Sequence, residues 1–502
     1  MSGWRAQIGE WVFGALTLSL LIPLWSVRYP PFQDFPQYVA LARTLADYGT
    51  PGLNFQRYFS LNFDTYTLFA PWLGAFFAKL FDPLVAAKLV VSLAIVATPW
   101  GLRVLLRSVG RPVEYAGFLL PLAYNAHVVM GFVSYVLGVA LMLWTLAFGA
   151  LVVAEPRRRW QIALGVTSVL CLYSHVVPWA FSVGGIGLAL LVSVPPRRWL
   201  PVLVPLAPAS LLGLRGFFDS STGWNLLPTA TTRAIPNCPI YDDTRTVFEQ
   251  LPGWISDVFH AEWDERLLLG MFLVGMALVL IGTTVPLVAE AEERTTRRTR
   301  LCFGLLAPLG IGLYFVMPRT CDWIWPIHAR FLFIGAMLAP LVLPRVPRNL
   351  LRVLAVALLV TSVLVTRGST KEFRRAEREL GDLQPALAVI PPGSKVAALT
   401  LDKGSSRVKA AGFHHFGAYC QAERGGLTEF TFATMHHWPI QIRPELNIPE
   451  PTWHFQFDPA AVRSRELSWA DYVLTRGPAP ASVNQDFRPV YQGSRWNVFV
   501  RR

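Results

Sequence analysis

Long apolar runs separated by short basic breaks dominate this chain, and a different rhythm follows the first of them. About 20 consecutive apolar residues cross a bilayer. Runs of that kind fall near 11–27, 84–106, 113–130, 132–154, 160–177, 178–195, 199–215, 266–289, 301–317, 328–344 and 349–366, which predicts eleven spans. Directly after the first run, Phe35, Tyr38, Val39, Ala42 and Leu45 recur at helical spacing, with Gln37, Arg43 and Asp47 on the other side. Pro36 suits a first helical turn, so the pattern predicts an amphipathic helix lying in the lipid interface, with Asp34 just ahead of its N-terminus. Asp34 is there either to cap the helix or to do chemistry where the chain leaves the membrane. The segment Tyr66 to Phe81 is short, aromatic and interrupted by Pro71 and Gly74, and reads as a second helix lying along the membrane.

Charge supports this division. Arg103, Arg107 and Arg111, then Arg157 to Arg159, Arg197 and Arg198, Arg294 to Arg300, and Arg345 and Arg348 all fall on one side if the N-terminus is cytoplasmic. The net charge of +13 is therefore a topology signal and does not point to nucleic acid. A composition that is 53% hydrophobic, with 18 Trp and 32 Phe, excludes a string of soluble domains. Residues 1–27 lack a small-residue cleavage site after the apolar run and read as an uncleaved first span.

The face opposite the arginines collects residues 28–83, a loop over 215–265, the connection Pro318 to Pro326, and everything after about 367. This divides the chain into a transmembrane domain, 1–366, and an extracytoplasmic tail, 367–502. Phe373, Ala376, Leu380, Leu383 and Leu387 suit a short amphipathic helix. Strands are expected at Lys395–Leu401, Asp471–Thr475, Arg488–Tyr491 and Trp496–Val500, making the tail a small α/β domain. The five cysteines have no metal-ligand spacing. Cys238, Cys321 and Cys420 face outward, with room for one disulfide and a thiol left over.

No P-loop, nucleophile elbow or dinucleotide fingerprint occurs in a strand-to-helix setting, and Gly310 and Gly312 lie inside a span. What remains is a set of polar groups at the outer ends of spans: Asp34, Asp64, Asn125, His127, His175, Arg319, Asp322, His328 and Arg330. Ionisable groups at the membrane edge are costly and default to functional candidates. Arg330 opens the span that begins at His328, where a guanidinium either snorkels to headgroups or holds a lipid-linked phosphate. His175 and His127 sit at chain turns and read equally as helix-to-helix hydrogen bonds or as bases. In the tail, His414-His415, His436-His437 and His454 lack an acidic ligand set, so ordinary loop or strand histidines are the simpler reading.

Together these residues resemble the GT-C superfamily of polytopic glycosyltransferases, which includes protein O-mannosyltransferases and lipid A aminoarabinose transferases. The resemblance rests on the outer loop Tyr29-Pro-Pro-Phe-Gln-Asp34-Phe-Pro-Gln-Tyr38 after a first span and on the membrane-lying helices. It continues through the turn Leu102-Arg-Val-Leu-Leu-Arg-Ser-Val-Gly-Arg111 and a late span opening with Arg330-Phe. It implies a sugar donor linked to polyprenyl phosphate, a bacterial inner-membrane location and an acceptor glycan, lipid or protein. Asp34 takes the role of the loop carboxylate that positions or deprotonates the acceptor. Arg330, with His328 and Arg319, takes that of the basic groups holding the leaving phosphate. Two departures stand out. The usual second acidic residue is missing from Tyr124 to Tyr135, leaving Asp64, Asp242, Asp243, Asp257, Glu262 or Asp264 as substitutes. The usual acidic pair is replaced by Asp34-Phe35, so a divalent cation stays an open option and no cofactor is required. A flippase for lipid-linked glycans and a non-catalytic scaffold are the rival readings. No inverted repeat supports the first, and the absent second carboxylate favours the second.

Overall fold

The computed structural model describes residues 3–219, 239–284, 294–321, 324–428, 432–435, 437–446, 448, 455 and 457–502. Cys238, Asp322, His436 and His454 lie outside them. Among the described residues seven helices are long and apolar enough to cross a membrane: Gln7–Trp25, Pro83–Ser108, Val133–Ala154, Val176–Ser193, Trp263–Gly282, Thr295–Val316 and Arg348–Leu380. The other four expected crossings fall on shorter pieces. Arg158–Ser174 has 17 residues, and Leu200–Gly216 and His328–Leu341 are short apolar helices. The run 113–130 is not one helix: a 3-10 segment Val113–Leu122 carries Pro121, and a separate turn of helix, Ala126–Val129, starts at Asn125. Phe69–Ala78, the segment expected along the membrane, has 10 residues. It is about 15 Å long, half the thickness of the hydrocarbon core.

The last long helix corrects the expected break between a span ending at 366 and a separate helix beginning near 373. Arg348–Leu380 is continuous over 33 residues. No proline interrupts it, so it runs on for about 50 Å, well beyond what a bilayer needs. Its final turns bury Phe373, Ala376 and Leu380 under the tail.

The tail contains a five-stranded mixed sheet built from β2 (Lys395–Thr400), β3 (Leu427–Thr428), β5 (Tyr472–Arg476), β6 (Phe487–Gln492) and β7 (Trp496–Arg501). The order is β3-β2-β5-β7-β6, with β2 parallel to both β3 and β5 and the β6–β7 hairpin antiparallel. Two further strands join distant parts of the chain. β1 (Phe59–Leu61), in the first outer loop, pairs antiparallel with β4 (Ile440–Ile442), in the tail, with Ser60 opposite Gln441. Around this pairing, Leu41, Leu45, Phe55 and Phe59 of the loop share one buried cluster with Trp438, Val473 and Phe487 of the tail. The first outer loop and the tail therefore fold against each other and lie on the same side of the membrane helices.

Two close backbone approaches position the elements that carry the candidate residues. Gln33 and Asp34 donate backbone N–H groups to the carbonyls of Val129 and Met130, at 3.1 and 3.0 Å. Gly131, with φ +78°, ends that turn, and a Cβ there would lie 2.8 Å from the Asp34 nitrogen and closer still to that of Phe35. The helices Leu306–Val316 and His328–Leu338 pack backbone to backbone, since a Cβ on Gly310 would meet the Phe331 carbonyl at 2.7 Å and the Gly335 nitrogen at 2.9 Å. Small residues permit such approaches between membrane helices.

Two stability predictions follow from this packing. Gly131→Ala combines an unfavourable φ with a clash against the Asp34 backbone and should cost about 3 kcal/mol, seen as a lower Tm in thermal unfolding. Asp382 accepts hydrogen bonds from the backbone nitrogens of Ser494 and Arg495 at 3.1 and 2.9 Å and from Tyr491 Oη at 2.8 Å. Burial opposes its ionisation, but the Arg495, Tyr491 and Ser494 bonds outweigh it and hold the carboxyl below its ordinary value of 3.8. Its stabilisation is thus full above about pH 4 and is lost as pH falls through the lowered folded value. Asp382→Ala should cost about 1–2 kcal/mol near neutrality and flatten the acid side of the Tm–pH curve.

Candidate functional site

Asp34 occupies the position before the helix Phe35–Ala46, where an aspartate ordinarily turns back to cap the free N–H groups. Here its side chain makes no capping bond. The carboxylate turns instead to the tail, where Oδ1 lies 2.9 Å from His415 Nδ1. Gln33 Nε2 donates to the same oxygen at 3.3 Å. Both side chains of the Asp34–His415 pair are buried, with 10% and 4% of their surface exposed. An aspartate this deep requires a hydrogen-bonded partner. By sequence, His414-His415 fit ordinary loop or strand histidines. His415 lies on the turn before Ala418–Arg424, and nothing in its local spacing points to Asp34.

Arg330 sits in the first turn of His328–Leu338. Its guanidinium lies 5.9 Å from the ring centroids of both Phe132 and Tyr135, and Tyr135 Oη donates to the Arg330 carbonyl at 2.5 Å. Among the described residues no carboxylate comes within ion-pair distance of it, whereas Arg103, Arg319 and Arg476 each hold an acidic partner. Tyr38 joins the two halves of the site. Its hydroxyl accepts from the Ser134 N–H at 3.4 Å, one residue before Tyr135 and on the same helix that begins next to the Asp34 contact. Burial pushes the Tyr38 phenol up to about 12. The Ser134 hydrogen bond opposes the rise, and the charges of Asp34 and Arg330 act on it in opposite senses. One hydroxyl feels both the carboxylate and the guanidinium.

The remaining candidates divide by position. His127 is fully buried, with its ring 4.8 Å from Tyr135 and 4.9 Å from Phe333. His175 packs edge-on to the other side of Tyr135 at 5.1 Å, and its Nδ1 accepts from the Val177 N–H at 3.2 Å, capping the helix that follows. Asn125 caps Ala126–Val129, accepting from the backbone nitrogens of His127 and Val128 at 3.0 and 3.2 Å. These three shape the wall behind Arg330. Arg319 pairs with buried Asp242 at 2.9 Å, and His328 Nε2 lies 3.8 Å from the same carboxylate. Trp254 connects that group to the wall, its ring 6.1 Å from His328 and 6.2 Å from His127. Asp64 is 94% exposed, with Arg215 at 4.0 Å. Of the carboxylates weighed for the missing second acidic position, Asp242 is thus the buried one beside two of the basic candidates. Among the described residues no three His, Cys, Asp or Glu side chains are grouped to hold a metal, so no step below is routed through one.

No family model matches the sequence, and no curated protein does. Among solved structures, the fold matches the arabinofuranosyltransferase AftD from Mycobacteria with a TM-score of 0.51 at 16% identity. The match covers 98% of this chain and 41% of that one, so the chain spans about two fifths of the length of the protein it resembles. At this identity the likeness is one of fold, and it extends over both the membrane helices and the tail. The chain is thus a helical protein with several helices long and apolar enough to cross a membrane, and its fold is similar to that of this arabinofuranosyltransferase.

Proposed function

We propose that this protein is a membrane glycosyltransferase that moves a sugar from a polyprenyl-phosphate donor to an acceptor hydroxyl on the extracytoplasmic face, by one displacement that inverts the anomeric centre. The observation that carries this reading is a buried carboxylate, Asp34, and an arginine with no acidic partner among the described residues, Arg330, both within electrostatic reach of Tyr38. In the displacement the acceptor oxygen bonds to the anomeric carbon as the bond from that carbon to the phosphate oxygen breaks. The phosphate gains negative charge as it leaves, and a guanidinium stabilises that charge most strongly in the transition state. Asp34 orients the acceptor hydroxyl and takes up its proton as the new bond forms.

Arg319 and His328 contribute less to phosphate binding on this reading, because Asp242 already balances the charge beside them. With the arginine-rich breaks cytoplasmic, the first outer loop, the tail and Asp34 are extracytoplasmic. The location proposed is a bacterial inner membrane. The acceptor is a glycan, lipid or protein presented at that surface.

Protein reconstituted in lipid nanodiscs with synthetic polyprenyl-phosphate sugars, arabinofuranose first because of the structural likeness, tests the assignment. Asp34→Asn should reduce transfer by about 1,000-fold with Tm unchanged. Arg330→Ala should weaken binding of farnesyl phosphate by about 10-fold or more, the scale of one charge-assisted hydrogen bond. Transfer that survives Asp34→Asn undiminished would sink the reading. A protein that binds no polyprenyl phosphate and transfers none of these sugars would leave the scaffold reading in its place.

A further inference from the structure

We propose that His415, carried by the tail, is the positioning residue for the Asp34 carboxylate, so that the transfer site is assembled from the first outer loop and the tail and is complete only when the two are docked. This rests on the transferase reading above and adds to it a residue and a source of control. His415 Nδ1 approaches Asp34 Oδ1 to 2.9 Å, the range of a charge-assisted contact. The His415 and Gln33 contacts both go to Oδ1. Among the described residues Oδ2 has no partner, and it is the oxygen left to meet an acceptor hydroxyl. The imidazole thus fixes the plane of the carboxylate and aims its second oxygen.

The surroundings hold the imidazole in turn. Its ring lies 4.3 Å from that of His414 and meets Phe432 edge-on at 5.6 Å. Phe432 stacks on Trp438 at 4.9 Å, and Trp438 meets Tyr38 edge-on at 5.2 Å, closing a path of rings back to the helix that follows Asp34. Behind this path Gln421 Nε2 donates to Thr44 Oγ1 at 2.9 Å, tying the helix after His415 to the helix after Asp34. The pair therefore reports docking directly: if the tail shifts, the carboxylate loses its orientation.

The test uses full-length protein in nanodiscs with whichever polyprenyl-phosphate sugar the wild type turns over. His415→Phe keeps an aromatic ring and removes the N–H. His415→Asn retains an N–H close to the position of Nδ1. The expected result is a kcat about 100-fold lower for His415→Phe, the scale of a misplaced reacting group, with farnesyl phosphate affinity within two-fold of wild type. His415→Asn should recover kcat to within about 10-fold of wild type. The proposal is overturned if His415→Phe keeps wild-type kcat, if it loses farnesyl phosphate binding together with activity, or if His415→Asn is as impaired as His415→Phe. Failure of the transferase reading looks different: the wild type itself shows no transfer and binds farnesyl phosphate no better than Arg330→Ala.

Discussion

The clasp between the first outer loop and the tail is the constraint on which the rest of the structure depends. A three-residue strand pairing would contribute little alone, since isolated two-stranded ribbons are marginal in water. Here β1 and β4 sit over a buried cluster drawn from both segments, and polar contacts surround it. Asn54 Nδ2 and Tyr58 Oη both donate to the Gly393 carbonyl at 3.0 Å, and the hydroxyls of Thr65 and Thr67 both reach the His437 carbonyl. The loop gains a hydrophobic partner it could not find in water, and the tail gains side chains for its own core. The long helix Arg348–Leu380 completes the clasp from beneath, carrying Phe373 against Phe32 at 5.3 Å.

That docking decides the electrostatics. Several cations among the described residues hold an acidic partner: Arg103 has Glu10 at 3.0 Å, Arg319 has Asp242, and Lys409 has Asp257 at 2.6 Å. Arg330 departs from this pattern, with aromatic rings in place of a carboxylate. Rings stabilise a guanidinium through their faces without cancelling its charge. Asp34 is a counterpart, a buried carboxyl group that meets an imidazole through one oxygen. The Tyr38 phenol lies within electrostatic reach of both groups.

Much of this was legible in the chain itself. The apolar runs located the long helices, and the alternation near the C-terminus located β2, β5, β6 and β7 to within a residue or two. Asp34 and Arg330 stood out because ionisable residues at membrane edges are costly. Helix ends were less legible. Periodicity continues smoothly through 366–373, so only the absence of proline hinted that span and amphipathic helix are one, while the break at Asn125 depends on a side chain capping its own backbone.

What the sequence determined by itself is the class of architecture, because the burial of apolar surface in long helices is a local, additive property of the chain. What only the tertiary structure decided is the identity of partners. Asp34 looked like a cap and is turned away from its helix. His415 looked like an ordinary loop residue and meets Asp34. Arg319 looked like a phosphate ligand and is matched with Asp242. Each outcome depends on a contact between residues far apart in the chain, and spacing along a sequence carries no information about which distant carboxylate, ring or hydroxyl the fold brings within 3 Å.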